Sequence, residues 1–186
     1  MMRMEDNIMK QRSIKTLLSD METLKKNFLN TKVYFPYMEK NMLGKKSKTT
    51  PPFYINKGFN IKFIFNQPIT EKHIRNNNEV SGWINQNFIV RLYALLDFYK
   101  VTNKIDQSLD GWKEVDLLRR LRNIFAHTSG KFNSRNKEHN RLGNELVSYF
   151  NIHEMIPNKF PIPIDKVCIP IYDGCVRYIH QKYNFN

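Results

Sequence analysis

Apolar residues return every three or four positions in several separate stretches of this 186-residue chain, a rhythm that belongs to amphipathic helices. Ile14, Leu17, Met21, Leu24 and Phe28 keep it in the first stretch and predict a helix over about Glu5 to Phe28. The acids Glu5 and Asp6 suit the positive end of that helix's dipole. Ile84, Phe88, Leu92, Leu95, Leu96 and Tyr99 predict a second helix over about Ser81 to Tyr99. A third follows Asp110, read as its N-cap, and stops near Thr128, where Ser129-Gly130 supplies a C-terminal signal. Leu142, Leu146, Tyr149 and Phe150 mark a fourth over about Ser134 to Phe150. Beyond Pro157 and Pro163, the residues Ile171, Cys175, Tyr178 and Ile179 place a last helix up to about Tyr183. The expected fold is all-α: an up-and-down bundle of four to five helices forming one domain over 1–186, large enough to bury a core.

One stretch breaks the rhythm. Residues 30–80 read as an insertion of loop and short strands after the first helix. Gly44, the run Lys45-Lys46-Ser47-Lys48 and Pro51-Pro52 look like loop. Phe59, Ile61, Phe63 and Phe65 occupy alternate positions, a strand signal, and Val33-Tyr34-Phe35 is the expected partner strand. Lys40, Lys45, Lys46 and Lys48, with Tyr34, Phe35 and Tyr37 nearby, are the parts of a single-stranded RNA contact, or equally of a solvated basic loop.

The formal charge of +13 and the pI near 9.7 point towards a polyanionic partner. The same chain is rich in Asn, Lys and Ile and has only Ala94 and Ala126 as alanines, a composition that an AT-rich genome also writes by default. Cys168 and Cys175, seven apart, form neither a disulfide framework nor a metal-ligand spacing, and fit thiols kept reduced in a cytoplasm. No apolar run reaches the ~18 residues of a membrane span, and residues 1–12 lack the apolar core of a signal peptide. A cytoplasmic protein without a membrane contact is expected. His73, His139, His153 and His180 are scattered, and no glycine-rich phosphate loop, Ser-His-Asp order or zinc-binding string appears, so no metal or cofactor is expected.

The third helix carries the chemistry. At ~100° per residue, Leu117, Leu118, Leu121, Ile124 and Phe125 fall within an arc of roughly 120°. Arg122 and His127 stand on the two shoulders of the opposite side, with Arg119, Asn123 and the small Ala126 between them. Guanidinium groups hold phosphate, and an imidazole moves protons near neutral pH. Asp97 on the second helix is a candidate to orient His127, or an exposed charge. The plain alternative for the whole face is a solvated one, with a histidine favoured in the last turn by the helix dipole.

The string Arg122-Asn123-Ile124-Phe125-Ala126-His127, late in a helix of a small bundle, resembles the HEPN (higher eukaryotes and prokaryotes nucleotide-binding) superfamily. That family's motif is an Arg and a His four to six residues apart, commonly with a polar residue straight after the Arg. The likeness covers mainly residues 81–130. It implies a homodimer whose two motif copies meet in one composite, metal-independent ribonuclease site, with Arg122, Asn123 and His127 as the catalytic set. His127 would handle the 2′-hydroxyl or 5′-oxygen proton, leaving 2′,3′-cyclic phosphate ends, and Arg122 would hold the scissile phosphate. Arg119, Arg120, Lys45, Lys46 and Lys48 are the expected RNA-binding cations. The resemblance further implies a defence or toxin–antitoxin setting, with an antitoxin or other regulatory protein as a partner. A non-catalytic module of the same type, binding RNA, a nucleotide or a protein, is the second expectation.

Overall fold

A computed structural model describes residues 2–50, 61–128, 131–152, 160 and 162–184. Five helices dominate it: α1 (Met2–Tyr34), α2 (Glu71–Phe98), α3 (Trp112–Thr128), α4 (Lys137–Tyr149) and α5 (Ile169–Tyr183). A two-stranded antiparallel hairpin, β1 (Ser47–Thr50) and β2 (Ile61–Ile64), lies between α1 and α2. The chain is an all-α bundle carrying one small hairpin. It divides into two compact units, residues 1–24 with 86–186, and residues 25–85.

In the larger unit α3 is the central helix, packed against both α5 and α4. Its stripe behaves as the spacing requires: Leu117, Leu118 and Leu121 are fully buried, and Ile124 and Phe125 nearly so. Leu17, Met21, Phe88, Leu92, Leu96, Leu142, Leu146 and Tyr178 complete this core. At the start of α3 the backbones come very close. Gly111 takes a φ of +80°, and a Cβ there would sit 1.9 Å from the Gly174 carbonyl oxygen on α5. Only glycine meets both demands.

The end of α3 is held by rings. Phe125 packs edge-on against Phe160 at 5.9 Å, and Phe160 against Phe132 at 5.1 Å. Buried His139 faces Phe160 at 5.3 Å, and its Nδ1 accepts the Asn133 amide at 3.0 Å. That bond places the imidazole proton on Nε2 and gives His139 a structural task.

The smaller unit has its own core of Met38, Met42, Ile69 and Ile74, with Phe65 packed against it. Buried Lys32 donates through Nζ to the Ser81 carbonyl at 3.0 Å and also bonds the Ser81 hydroxyl.

Several boundaries differ from the expectation. The first helix runs on to Tyr34, so Val33-Tyr34 is helical and not the strand partner; Ser47–Thr50 pairs with β2 instead, Lys48 opposite Phe63. The second helix begins at Glu71, ten residues early, and takes in the Asn76-Asn77-Asn78 run. Asn77 donates to the Pro36 carbonyl at 2.6 Å, and Asn78 bonds both the amide and the carbonyl of Met38. Those tertiary bonds outweigh the low helix propensity of asparagine. Asp110 does not cap α3: Gly111 precedes the helix, its carbonyl accepting from Val115, while the Asp110 carboxylate accepts from Arg177 at 2.8 Å. The cap of α4 is Asn136, whose side chain accepts from the Glu138 and His139 amides. A wide turn at Ile164–Cys168 leads into α5, and Cys168 and Cys175 are both buried thiols. The expected stop signal Ser129-Gly130 lies outside the described residues, as does His153. No described helix is long and apolar enough to cross a membrane.

Candidate active site on the third helix

The side of α3 opposite its buried stripe opens to solvent in its last two turns. Asn123, Ala126 and His127 are exposed and Arg122 is half-buried. The Arg122 guanidinium lies over the Tyr93 ring of α2, 5.2 Å from its centroid, and one of its nitrogens donates to the Asn123 side-chain oxygen at 3.1 Å. A cation over an aromatic face keeps its charge, and the planar group is held in one orientation by the stack and the amide together. Among the described residues no carboxylate pairs with Arg122.

Its neighbours on the same helix are placed differently. Arg120 is held in a carboxylate box. It reaches Glu145 at 2.5 Å, Glu138 at 3.3 Å and Asp116 at 3.7 Å, with its side chain 15% exposed. Burial lowers the tendency of its guanidinium to stay charged, but the carboxylates outweigh that and raise its pKa. Glu145, which also pairs with Lys113, goes the other way. Burial pushes its pKa up, yet the two cations pull it below the usual carboxylate range. Arg120 therefore ties α3 to α4, and its charge is spent inside the fold. Arg119 is exposed and pairs with Asp116 at 2.7 Å, an i,i+3 surface bridge that is weak and screened by salt.

The other expected contributors lie elsewhere. The Asp97 carboxylate accepts from the Thr102 hydroxyl at 2.9 Å and closes the turn after α2. Lys45 and Lys46 are exposed in the smaller unit; the Lys48 side chain lies outside the described residues. No group of three His, Cys, Asp or Glu among the described residues is placed to hold a metal ion.

An open cleft of about 420 Å³ lies at the far end of α3, lined by residues 107–114, Tyr149 and Gln181. It stands ~20 Å along the helix from His127 at 1.5 Å per residue. Its charged groups are already matched: Arg177 bridges Asp110 and buried Glu114, and Lys113 pairs with Glu145. The Arg177 bridge and the Gly111–Gly174 contact had no signal in the spacing, because both depend on which helices become neighbours.

The open face thus offers an oriented guanidinium with no carboxylate partner among the described residues, a side-chain amide bound to it, a helix surface bare beyond Cβ at Ala126, and a solvent-accessible imidazole. Arg122 and His127, five residues apart, project ~140° apart around the axis, so one helix alone does not aim both at a single phosphate. Compared with family models, curated proteins and solved structures, the chain matches none.

Proposed function

We propose that this protein is a homodimeric, metal-independent endoribonuclease of HEPN type, with Arg122, Asn123 and His127 of two chains forming one composite site. The observation that carries this reading is the contrast along α3. Arg120 is neutralised by three carboxylates, whereas Arg122 is held by a ring and an amide that leave its charge intact. A guanidinium fixed in place with no carboxylate partner among the described residues suits an anion supplied from outside the chain.

Two α3 helices crossing at the exposed Ala126 come close because nothing projects beyond Cβ there. Such a crossing sets Arg122 of one chain beside His127 of the partner subunit, which removes the ~140° divergence within one helix. In the reaction His127 takes the proton of a ribose 2′-hydroxyl. The 2′-oxygen attacks phosphorus, the bond from phosphorus to the 5′-oxygen breaks, and that oxygen leaves with a proton taken from solvent. The products are a 2′,3′-cyclic phosphate and a 5′-hydroxyl. Arg122 holds the non-bridging oxygens and opposes the charge that grows on them in the transition state. Asn123 keeps the guanidinium in plane, and Arg119 adds charge along the approach.

The test is incubation of the purified protein with end-labelled RNA in excess EDTA. The reading expects cleavage that persists in chelator, leaves cyclic phosphate ends and disappears in His127→Ala. Binding without cleavage would assign the same residues to a non-catalytic RNA-binding module.

A further inference from the structure

The smaller unit carries a second feature that the α3 site does not use. Its segment 34–46 is a strap with two chemically different sides. Pro36, Met38 and Met42 point inward, the two methionines into the unit's core. The outward side presents Tyr34 (60% exposed), Phe35 (39%), Tyr37 (58%) and Leu43 (41%), together with exposed Lys40, Lys45 and Lys46.

This strap is rigidly held. Asn78 bonds both backbone groups of Met38, and Asn77 bonds the Pro36 carbonyl, so Tyr37 projects from a backbone pinned on either side. The other end is tied by the Gly44 amide to the Ile69 carbonyl at 2.9 Å, by the Ile69 amide to the Lys45 carbonyl at 3.0 Å, and by the Phe65 amide to the Lys46 carbonyl at 2.8 Å. The strap's one acid, Glu39, accepts from the Asn41 amide at 2.7 Å, and among the described residues no carboxylate pairs with Lys40, Lys45 or Lys46. Residues 25–85 contain eleven basic residues against three acidic ones.

We infer that this strap is a binding track for single-stranded RNA, with bases stacked on Tyr34 and Tyr37 and phosphates held by Lys40, Lys45 and Lys46. Exposed aromatics scattered singly mean little. Here three stand within four positions, fixed in place and flanked by lysines that no carboxylate among the described residues pairs with. Stacking needs the faces of bases, which only an unpaired strand offers, and the lysines need the regular negative charge of its backbone. The inference leans on the nuclease reading only for the choice of RNA over DNA; the strap's residues do not include Arg122 or His127.

The experiment is fluorescence anisotropy on the full-length protein with a labelled, uncleavable 2′-O-methyl RNA strand of about 12 nucleotides, within the span such surfaces cover. It is repeated across salt concentrations, with a single-stranded DNA, an RNA duplex and phosphatidylserine vesicles as comparison ligands. Lys45→Ala with Lys46→Ala should weaken binding and flatten the slope of log K against log salt by about 1.4, two phosphates at ~0.7 each. Tyr34→Ala with Tyr37→Ala should weaken binding at least about tenfold at unchanged slope. The Tyr34→Phe, Tyr37→Phe protein should bind like wild type, because the ring faces remain.

Wild-type affinity in both alanine pairs would overturn the inference. So would equal affinity for duplex, or binding to the vesicles without binding to the strand. Equal affinity for DNA would keep the stacking track and remove only the preference for RNA. A protein that binds through the strap but never cleaves would end the nuclease reading alone. One that cleaves while ignoring both alanine pairs would end this inference alone.

Discussion

The two units of the molecule carry their charge differently. Residues 25–85 set eleven basic residues against three acidic ones, while the rest of the chain has nineteen against fourteen. In the larger unit three cations are absorbed by the fold: Arg120 by Glu145, Glu138 and Asp116, Lys113 by Glu145, and Arg177 by Asp110 and Glu114. In the smaller unit Lys40, Lys45 and Lys46 stand in solvent beside exposed rings. A formal charge of +13 is therefore two different things in one chain. Part of it ties helices together in the larger unit, and part of it faces outward from the smaller one. Within the larger unit, Arg122 stands out because its charge is kept while its neighbour's is consumed.

Substitutions can break that contrast or sharpen it. The largest effect is expected at His127→Ala, which should lower RNA cleavage by roughly 10²–10⁴-fold, the usual worth of positioned proton transfer. Because the side chain is exposed, the melting temperature should stay close to that of wild type. A cleavage rate equal to wild type would remove His127 from the chemistry.

Next comes the core that carries the site. Leu118→Ala empties a fully buried position on α3 and should cost about 2–5 kcal/mol in denaturant unfolding. A much smaller loss would mean that the stripe is less tightly packed than the burial indicates.

Arg120→Ala should then separate scaffold from site. It strands partly buried carboxylates and should cost about 1–3 kcal/mol of stability, while cleavage per folded molecule changes little. A variant with wild-type stability and impaired RNA handling would reverse the roles assigned to Arg120 and Arg122.

The smallest effect concerns acid. Glu145 has its folded pKa below the ordinary value, so it binds fewer protons folded than unfolded as pH falls through the carboxylate range. Its contribution is full above that range and is lost below it. Unfolding free energy followed from pH 6 down to about 3 should fall less steeply in Glu145→Gln than in wild type. Parallel curves would show that the bridge is not what acid undoes.

The helices were legible because burial on one side imposes a 3.6-residue period, and the stripe from Leu117 to Phe125 is buried as its spacing requires. What was not legible depended on partners distant in sequence. The last turns of α1 are hidden because their inward residues include Lys32, made acceptable by Ser81 forty-nine positions away. The Asn76-Asn77-Asn78 run looks like loop until its amides are seen bonding the strap. β1 lies in a lysine-and-threonine stretch with no apolar alternation, and its pairing with β2 is carried by backbone bonds.

The face carrying Arg122, Asn123 and His127 was legible as a pattern, but the difference between Arg120 and Arg122 was not. One signal was available. Arg120 projects only ~40° from Ile124, at the margin of the apolar stripe, where a charge must find a partner within the protein.

The central claim is that the composite site pairs the guanidinium of one chain with the imidazole of the other. Mixing the inactive Arg122→Ala and His127→Ala proteins under conditions that allow subunit exchange, and assaying RNA cleavage in EDTA, tests it most directly. A shared site predicts that activity returns to about a quarter of wild type, since half the dimers are mixed and each of those keeps one of its two arginine–histidine pairs. A mixture as inactive as its parents, or a wild-type protein that leaves RNA intact, would contradict it.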